Sequence, residues 1–284
     1  MIDLHTHTTE SDGTLTPADL IQAAVQMGLD ALAISDHDTL AGHDRAAAPA
    51  RQAGLDLVCA VEISTRLSRP GQRATSVHLL GYFLQGPPDS EFRAWLEAIA
   101  RKRRERNARM AARLEELGVG VTLEEVVALG GSIAGRPHFA RLMLQKGRVA
   151  SLQEAFDRYI GEAAPAYVER DEPGVAEGIR RILEAGGLPC LSHPIRLSKG
   201  NLEAIGELVA GMCEQGLRGL EVHYSEHNPA QTQFFLELAR RYRLAVSGGS
   251  DFHGDNKPGV SLGTGIEGNL NVPLSVLEEL RRVG

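Results

Sequence analysis

Residues 1–14 read MIDLHTHTTESDGT, and the segment Ile2–His5 within them predicts a β-strand at the start of the fold. His5 and His7 are two residues apart, so on an extended segment both side chains leave from one face. This geometry suits two ligands of one metal ion, provided that other ligands converge from elsewhere in the chain. On its own the pair is weak evidence, because such a pair is also found by chance.

The composition is that of an ordinary globular protein. The chain has 284 residues, of which 43% are hydrophobic and 24% are charged, and this length fits one large domain or two medium ones. A net charge of −7 argues against broad non-specific binding of nucleic acid. We expect a cytoplasmic protein with no membrane contact, because no apolar run reaches the roughly 18 residues of a membrane span. The three widely spaced cysteines fit buried free thiols.

Seven apolar runs predict strands, and helical patterns lie between most of them. The predicted strands are Ile2–His5, Ala31–Asp36, Asp56–Ile63, Ser76–Phe83, Leu188–His193, Gly219–His223 and Leu244–Asp251. Strands this apolar, joined by helices, are typical of a parallel sheet or barrel whose faces are covered. The sequence therefore predicts an α/β fold.

The alternation of strands and helices stops between the fourth and fifth strands. This part of the chain contains no convincing strand, but it has four helical patterns, over Glu91–Leu117, Thr122–Leu129, Arg136–Lys146 and Ser151–Tyr159. We predict that residues 87–167 form an all-helical insertion that caps one end of a barrel built from residues 1–86 and 168–284.

Polar residues recur where the predicted strands end. Glu62 lies inside an apolar run, where an unpaired carboxylate would be costly, and His78 lies among apolar residues of the fourth strand. A single buried histidine is usually a core residue, but here six histidines and at least three acids lie at or near the carboxyl ends of six strands. Active sites of barrel enzymes form at that face, so the pattern predicts a metal site.

Six motifs together resemble the PHP (polymerase and histidinol phosphatase) superfamily. They are DLHTHTTESDG (3–13), AISDHDT (33–39), AVEIS (60–64), VHLLGY (77–82), LSHP (191–194) and GGSDFHG (248–254). The resemblance covers about residues 1–83 and 187–263. It implies a distorted seven-stranded (β/α)7 barrel that binds two or three divalent metal ions and hydrolyses phosphate esters.

The resemblance also implies roles for individual residues. His5, His7, Glu62 and Asp251 would hold the first metal, Glu62 would bridge to a second completed by His78 and His193, and Asp12, His37 and His253 would hold a third. The family often has histidine where Asp12 stands, and an acid there hardens the third site toward metals that prefer oxygen ligands. Mixed imidazole and carboxylate ligation suits Mn²⁺, Fe²⁺ or Zn²⁺, and the resemblance favours Mn²⁺.

The implied nucleophile is a metal-bound hydroxide, positioned with Glu62, Asp251 and His193. Metal ions lower the pKa of bound water enough to make hydroxide at neutral pH. This chemistry requires no side-chain nucleophile.

Four further residues are candidates for binding substrate or supporting the site. Residues 130–138, GGSIAGRPH, lead into a predicted helix at whose start Arg136 and His138 would either hold an anion or cap the helix. Arg196 follows the strand end that carries His193, and it could reach a phosphate. His43, in the helix after the second strand, could orient a metal ligand through a hydrogen bond.

The motif GRPHFA (135–140) on a helical insertion is similar to one subgroup of the family. Its members are nucleoside 3′,5′-bisphosphate phosphatases or 5′-to-3′ exoribonucleases that trim short RNA. The resemblance implies a small nucleotide or a short RNA end as substrate, with no obligate protein partner. The alternatives are a histidinol phosphatase or other small phosphomonoesterase, an amidohydrolase with two metals, and a non-catalytic, metal-stabilised nucleic-acid-binding module.

Overall fold

The computed structural model describes residues 1–69, 74–131, 134–169 and 171–284. Its main sheet has seven strands in chain order: β1 Ile2–Thr6, β2 Ala31–Ile34, β3 Asp56–Leu67, β4 Thr75–Phe83, β5 Leu188–Leu191, β6 Gly219–Tyr224 and β7 Ala245–Gly249. The amides of His7 and Asp251 donate to the carbonyls of Phe252 and His5, so the two edge strands meet and the sheet is nearly closed. The predicted α/β barrel is confirmed.

Strand β4 runs antiparallel to both of its neighbours, whereas the other adjacent strands are parallel. The parallel arrangement predicted from the sequence is therefore wrong at this strand. Only residues 68–74 join β3 to β4, and a parallel connection takes about a dozen residues or more. The reversal pairs His78, near the start of β4, with Ser64 on β3. It thus brings His78 to the end of the barrel where the parallel strands finish.

The described residues also form α-helices. They are α1 Pro17–Gln26, α2 Ala41–Ala53, α3 Ser90–Glu116, α4 Leu123–Gly130, α5 Arg136–Gln145, α6 Leu152–Ala155, α7 Val175–Glu184, α8 Leu202–Glu214, α9 Pro229–Tyr242 and α10 Leu274–Val283. A short hairpin, β8 Val260–Ser261 and β9 Gly265–Ile266, follows β7. Among the described helices, none combines the length and hydropathy that a membrane span requires.

The barrel is filled mainly by aliphatic side chains from successive strands, such as Leu4, Val58 and Leu80, each of which is buried. Burial of one such side chain stabilises the fold by about 1.5–3 kcal/mol. Tyr82 adds a buried hydroxyl that is 3.0 Å from the carbonyl of Leu4 and 2.7 Å from Oγ of Ser247. The barrel interior therefore combines an apolar core with a few satisfied polar groups.

The chain divides into two compact units. The first comprises Met1–Ala94 and Glu172–Gly284 and contains the barrel, and the second comprises Trp95–Asp171 and has its own helical core. The boundary between them falls inside α3, later than the predicted start of the insertion at residue 87. The physical reason is that the first turn of α3 packs on the barrel, where the rings of Phe92 and Phe83 lie 5.0 Å apart.

Candidate metal centre

Glu62 lies at the centre of the cluster of predicted ligands, although it is only 1% exposed. Five imidazole nitrogens lie within 3.4 Å of its carboxylate oxygens. They are His5 Nε2 at 3.4 Å, His7 Nε2 at 3.3 Å, His37 Nδ1 at 3.2 Å, His78 Nδ1 at 3.3 Å and His193 Nε2 at 2.9 Å. One buried carboxylate thus faces side chains from β1, β4 and the loops that follow β1, β2 and β5.

Several of these nitrogens lack a hydrogen-bond partner among the described residues. They are Nε2 of His5, Nε2 of His7, Nδ1 of His37 and Nδ1 of His78, all of them buried. A buried polar atom left unpaired costs about 1–3 kcal/mol, so such atoms usually have a function. Nitrogen lone pairs beside carboxylates are the donors that transition-metal ions take in proteins, and the cluster therefore fits divalent metal ions.

The ligand atoms fall into three overlapping groups, in each of which all atoms lie within 4.8 Å of one another. The groups are His5, His7 and Asp251; His37, Glu62 and His78; and His7, Asp12, His37 and His253. They resemble the three sites inferred from the sequence, but His37 takes the place of His193 in the second group. His193 remains beside Glu62, with 2.9 Å between Nε2 and Oε1.

Charge in the centre favours cations. Burial alone would raise the pKa of Glu62 and Asp251, but the surrounding imidazoles hold both pKa values well below their usual range. Burial opposes protonation of His7, yet the neighbouring carboxylates of Asp251 and Glu62 raise its pKa to about 10. Burial lowers the pKa of His37 to about 3. Because metal ions compete with protons for these ligands, metal affinity is expected to fall as the pH falls.

Asp12 lies among three of the histidines. Its Oδ1 is 3.2 Å from Nε2 of His253 and 3.5 Å from Nδ1 of His7, and its Oδ2 is 3.8 Å from Nε2 of His37. Burial would raise the pKa of Asp12, but His37 and the neighbouring imidazoles lower it. Asp12 therefore offers a charged oxygen ligand at the third group.

Three residues at this end of the barrel have left-handed backbone conformations. Asp38, His193 and Asp251 have φ values of 55°, 29° and 57°, which cost residues other than glycine about 1–3 kcal/mol each. The strands β2, β5 and β7 end two residues before the predicted ends, and the bends follow two to four residues later. The bends bring His193 and Asp251 onto the cluster around Glu62.

Two cations lie beside Asp251. Its Oδ1 is 3.4–3.5 Å from nitrogens of His5, His7 and His253, whereas its Oδ2 accepts from Tyr224 Oη at 2.9 Å and from Lys257 Nζ at 2.8 Å. Arg196, a predicted phosphate-binding residue, has Nη2 3.4 Å from the same Oδ2. The sequence reasoning missed Lys257, which approaches Asp251 only because a 3₁₀ turn, Gly254–Asn256, follows β7.

Glu221 on β6 was also missed, although it is fully buried and contacts His5 and the backbone of His193. The signal that could have found it is the one that identified Glu62, an acid inside an apolar strand. Nδ1 of His43, the predicted supporting residue, lies 3.4 Å from Oδ1 of Asp44.

The remaining two predicted substrate-binding residues lie in the helical unit. His138 Nδ1 accepts a hydrogen bond of 3.2 Å from the amide of Gly135, which is a capping contact at the start of α5. The guanidinium carbon of Arg136 lies 5.5 Å from the ring centre of Tyr167. Residues 132 and 133 of the same motif lie outside the described residues.

Known proteins are similar to this chain in sequence and in fold. Residues 3–171 match the PHP domain family. The chain is 31% identical over 264 residues to the 3′,5′-nucleoside bisphosphate phosphatase of Chromobacterium violaceum, covering 92% of this chain and 90% of the relative. It is 34% identical over 285 residues to the 5′-3′ exoribonuclease Rnm of Escherichia coli K12, covering 94% and 91%.

A solved structure from Bifidobacterium adolescentis, named as a metal-dependent phosphoesterase, superposes with a TM-score of 0.78. The two proteins are 31% identical, and the match covers 99% of this chain and 96% of that one. Together with the family match and the cluster around Glu62, this likeness establishes the reaction class. The chain belongs to the PHP family and is a hydrolase that acts on phosphoric ester bonds.

Proposed function

We propose that the chain hydrolyses the phosphate ester of a nucleoside 3′,5′-bisphosphate, such as 3′,5′-adenosine bisphosphate to AMP and phosphate, and that it also trims short RNA from the 5′ end. The main structural support for this reaction is the Glu62 carboxylate, which five imidazole rings contact. The choice of substrate is supported by the names of the phosphatase and exoribonuclease relatives. No obligate protein partner is part of the proposal.

Bound divalent ions, which we take to be Mn²⁺, would make a nucleophile from water and neutralise charge on the phosphate. The chain's own task is to hold the ions and orient the ester. Glu62, Asp251 and the histidines would supply the ligands, and Asp12 would complete the third group. Arg196 and Lys257, which lie at the edge of the centre beside Asp251, would bind phosphate oxygens.

An assay with three substrates tests this function. Protein loaded with Mn²⁺ is incubated with 3′,5′-adenosine bisphosphate, histidinol phosphate and a short 5′-phosphorylated RNA, and the metal content is measured in parallel. We expect the highest kcat/KM for the bisphosphate and slower release of nucleotides from RNA. Preferential hydrolysis of histidinol phosphate, or RNA binding with no turnover of any substrate, would refute the proposal.

Arg136 is the proposed contact for the second phosphate of the substrate. A hydrogen bond to a charged group contributes about 1.5–3 kcal/mol, so we expect Arg136→Ala to raise KM for the bisphosphate about 10- to 100-fold. KM for a simple aryl phosphate, which has no second phosphate, should stay near the wild-type value. Arg141→Ala, an exposed arginine on the same helix, is the matched control. Equal effects of Arg136→Ala on both substrates would contradict the assignment.

A further inference from the structure

Glu221 is a buried carboxylate to which the proposed reaction assigns no role. It lies on β6 with 0% of its surface exposed, and both of its oxygens accept hydrogen bonds from residues of the metal centre. Oε1 is 2.8 Å from Nδ1 of His5, and Oε2 accepts the backbone amide of His193 at 2.6 Å. We propose that Glu221 is a positioning residue that couples two metal ligands, His5 on β1 and His193 after β5.

The first contact selects the tautomer of His5. A carboxylate can only accept a hydrogen bond, so Nδ1 of His5 must carry the proton that is shared with Glu221. In the neutral ring this leaves Nε2 with a lone pair. Nε2 is the buried nitrogen without a hydrogen-bond partner in the described chain, and it lies 3.4 Å from Glu62 and 3.5 Å from Asp251. Glu221 therefore presents the lone pair of His5 to the ion.

The second contact holds the backbone at His193, whose φ of 29° and ψ of 62° are unusual for a residue other than glycine. Strand β5 pairs with β6 only at Cys190 and Leu191, so the ladder has already ended at His193. Beyond the end of this ladder, the side chain of Glu221 on β6 accepts the hydrogen bond from the backbone amide of His193. This hydrogen bond stabilises the bend that places Nε2 of His193 2.9 Å from Glu62.

One carboxylate thus fixes a proposed ligand on β1 and another just after β5, two strands that are not neighbours in the sheet. His5 belongs to the group with Asp251, and His193 contacts Glu62, which belongs to another group. Loss of Glu221 should therefore weaken the binding of more than one metal ion. The inference rests on the ligand set in the proposed function, and it is independent of the substrate.

The test replaces Glu221 with glutamine, which has the same size. One oxygen becomes an NH₂ donor, which either faces the amide of His193 or forces the proton of His5 onto Nε2. Groups that orient a metal ligand usually contribute about 10- to 100-fold in affinity, so we expect Mn²⁺ binding, measured by competition with a chelator, to weaken by that factor. The visible absorption spectrum of the Co²⁺-loaded protein should change, because the geometry at His5 changes.

Tyr82→Phe is the matched control. It removes a buried hydrogen bond from the same barrel interior, but Tyr82 makes its hydrogen bonds to Leu4 and Ser247, which are not ligands. We expect a lower Tm with unchanged Mn²⁺ affinity and an unchanged Co²⁺ spectrum. Wild-type Mn²⁺ affinity and spectrum in folded Glu221→Gln would overturn the inference. If that variant does not fold, Glu221→Asp, whose shorter side chain cannot reach both partners, must show the same loss, and wild-type affinity there would overturn the inference equally.

A double-mutant cycle separates positioning from a general effect on stability. If Glu221 acts through His5, then Glu221→Gln should weaken Mn²⁺ binding less in a His5→Asn background than in the wild type. Fully additive losses would contradict the proposal. None of these titrations contains a phosphate ester, so failure of the bisphosphate assay leaves the inference standing, and failure here leaves the proposed substrate untouched.

Discussion

Replacement of Glu62 by glutamine is expected to lower kcat/KM for 3′,5′-adenosine bisphosphate by about 10³-fold, because metal ions contribute several kcal/mol to such reactions and about 1.4 kcal/mol corresponds to a factor of ten. Glutamine keeps the size of the side chain and removes its charge. The five imidazoles would then face one neutral oxygen and one NH₂ donor. We therefore also expect the purified variant to carry at least one metal ion fewer per chain, as measured by elemental analysis.

Thr65→Val is the matched control for Glu62→Gln. Thr65 is fully buried on the same strand and donates to the carbonyl of Val77 at 2.6 Å, so valine removes one buried hydrogen bond without touching a ligand. The control should lose stability but keep its metal content and kcat/KM. Circular dichroism of both variants verifies that they are folded. Activity of Glu62→Gln within tenfold of the wild type, with full metal content, would show that Glu62 does not bridge ions.

The direction of β4 could have been predicted from chain length. Its apolar residues predict a strand, and residues 68–74 are too few for a parallel crossover, so the strand must run antiparallel to β3. The reversal matters for the site, because His78 lies near the start of β4 and would otherwise lie at the opposite end of the barrel. The apolar pattern together with the lengths of the connections therefore predicts both the positions and the directions of the strands.

The candidate site was predictable because Glu62 and His78 stand out in apolar strands, and the proposed roles of the individual ligands come from the family resemblance. The same signal is present at Glu221, which lies between Leu220 and Val222 but outside the six family motifs.

The bends at Asp38, His193 and Asp251 could not be predicted, since left-handed backbone is unfavourable for all three residues in isolation. Hydrogen bonds between distant residues stabilise all three, and at Asp251 the backbone amide donates to the carbonyl of His5. The Asp38 carboxylate accepts the amide of Ser64 at 2.8 Å, and Glu221 accepts the amide of His193. Such contacts exist only once the barrel has formed, so they leave no local signal in the sequence.

The second large effect is expected when the two cations beside Asp251 are removed together. Arg196 and Lys257 both contact Glu226 as well as Oδ2 of Asp251, and their side chains are 41% and 20% exposed, so both are accessible from solvent. Catalysis of phosphoryl transfer depends on positioning and on stabilisation of charge on the phosphate oxygens. Loss of one such donor typically lowers kcat by about 10²–10³-fold. We therefore expect Arg196→Ala/Lys257→Met to lower kcat/KM by at least about 10²-fold.

Arg281→Ala is the matched control for this double variant. Arg281 makes a bidentate ion pair of the same kind, with both contacts to Asp56 at 2.8 Å, but it lies on α10 and contacts the start of β3. Exposed ion pairs contribute about 0–1 kcal/mol, so its loss should leave kcat/KM unchanged. A double variant that retains kcat/KM within threefold of the wild type would exclude a role for Arg196 and Lys257 in catalysis.

The measurement must also distinguish binding of phosphate from support of Asp251. If the two cations only hold Asp251 in place, their removal disturbs a metal ligand, and the affinity for Mn²⁺ falls with the activity. If they bind the ester, Mn²⁺ affinity stays the same or rises, because two positive charges near the ions have been removed. Inhibition by inorganic phosphate then weakens in parallel with kcat/KM. We expect the second outcome, since both cations approach Oδ2 of Asp251, which faces away from the histidines, and not Oδ1, the oxygen beside the histidines that we propose as a metal ligand.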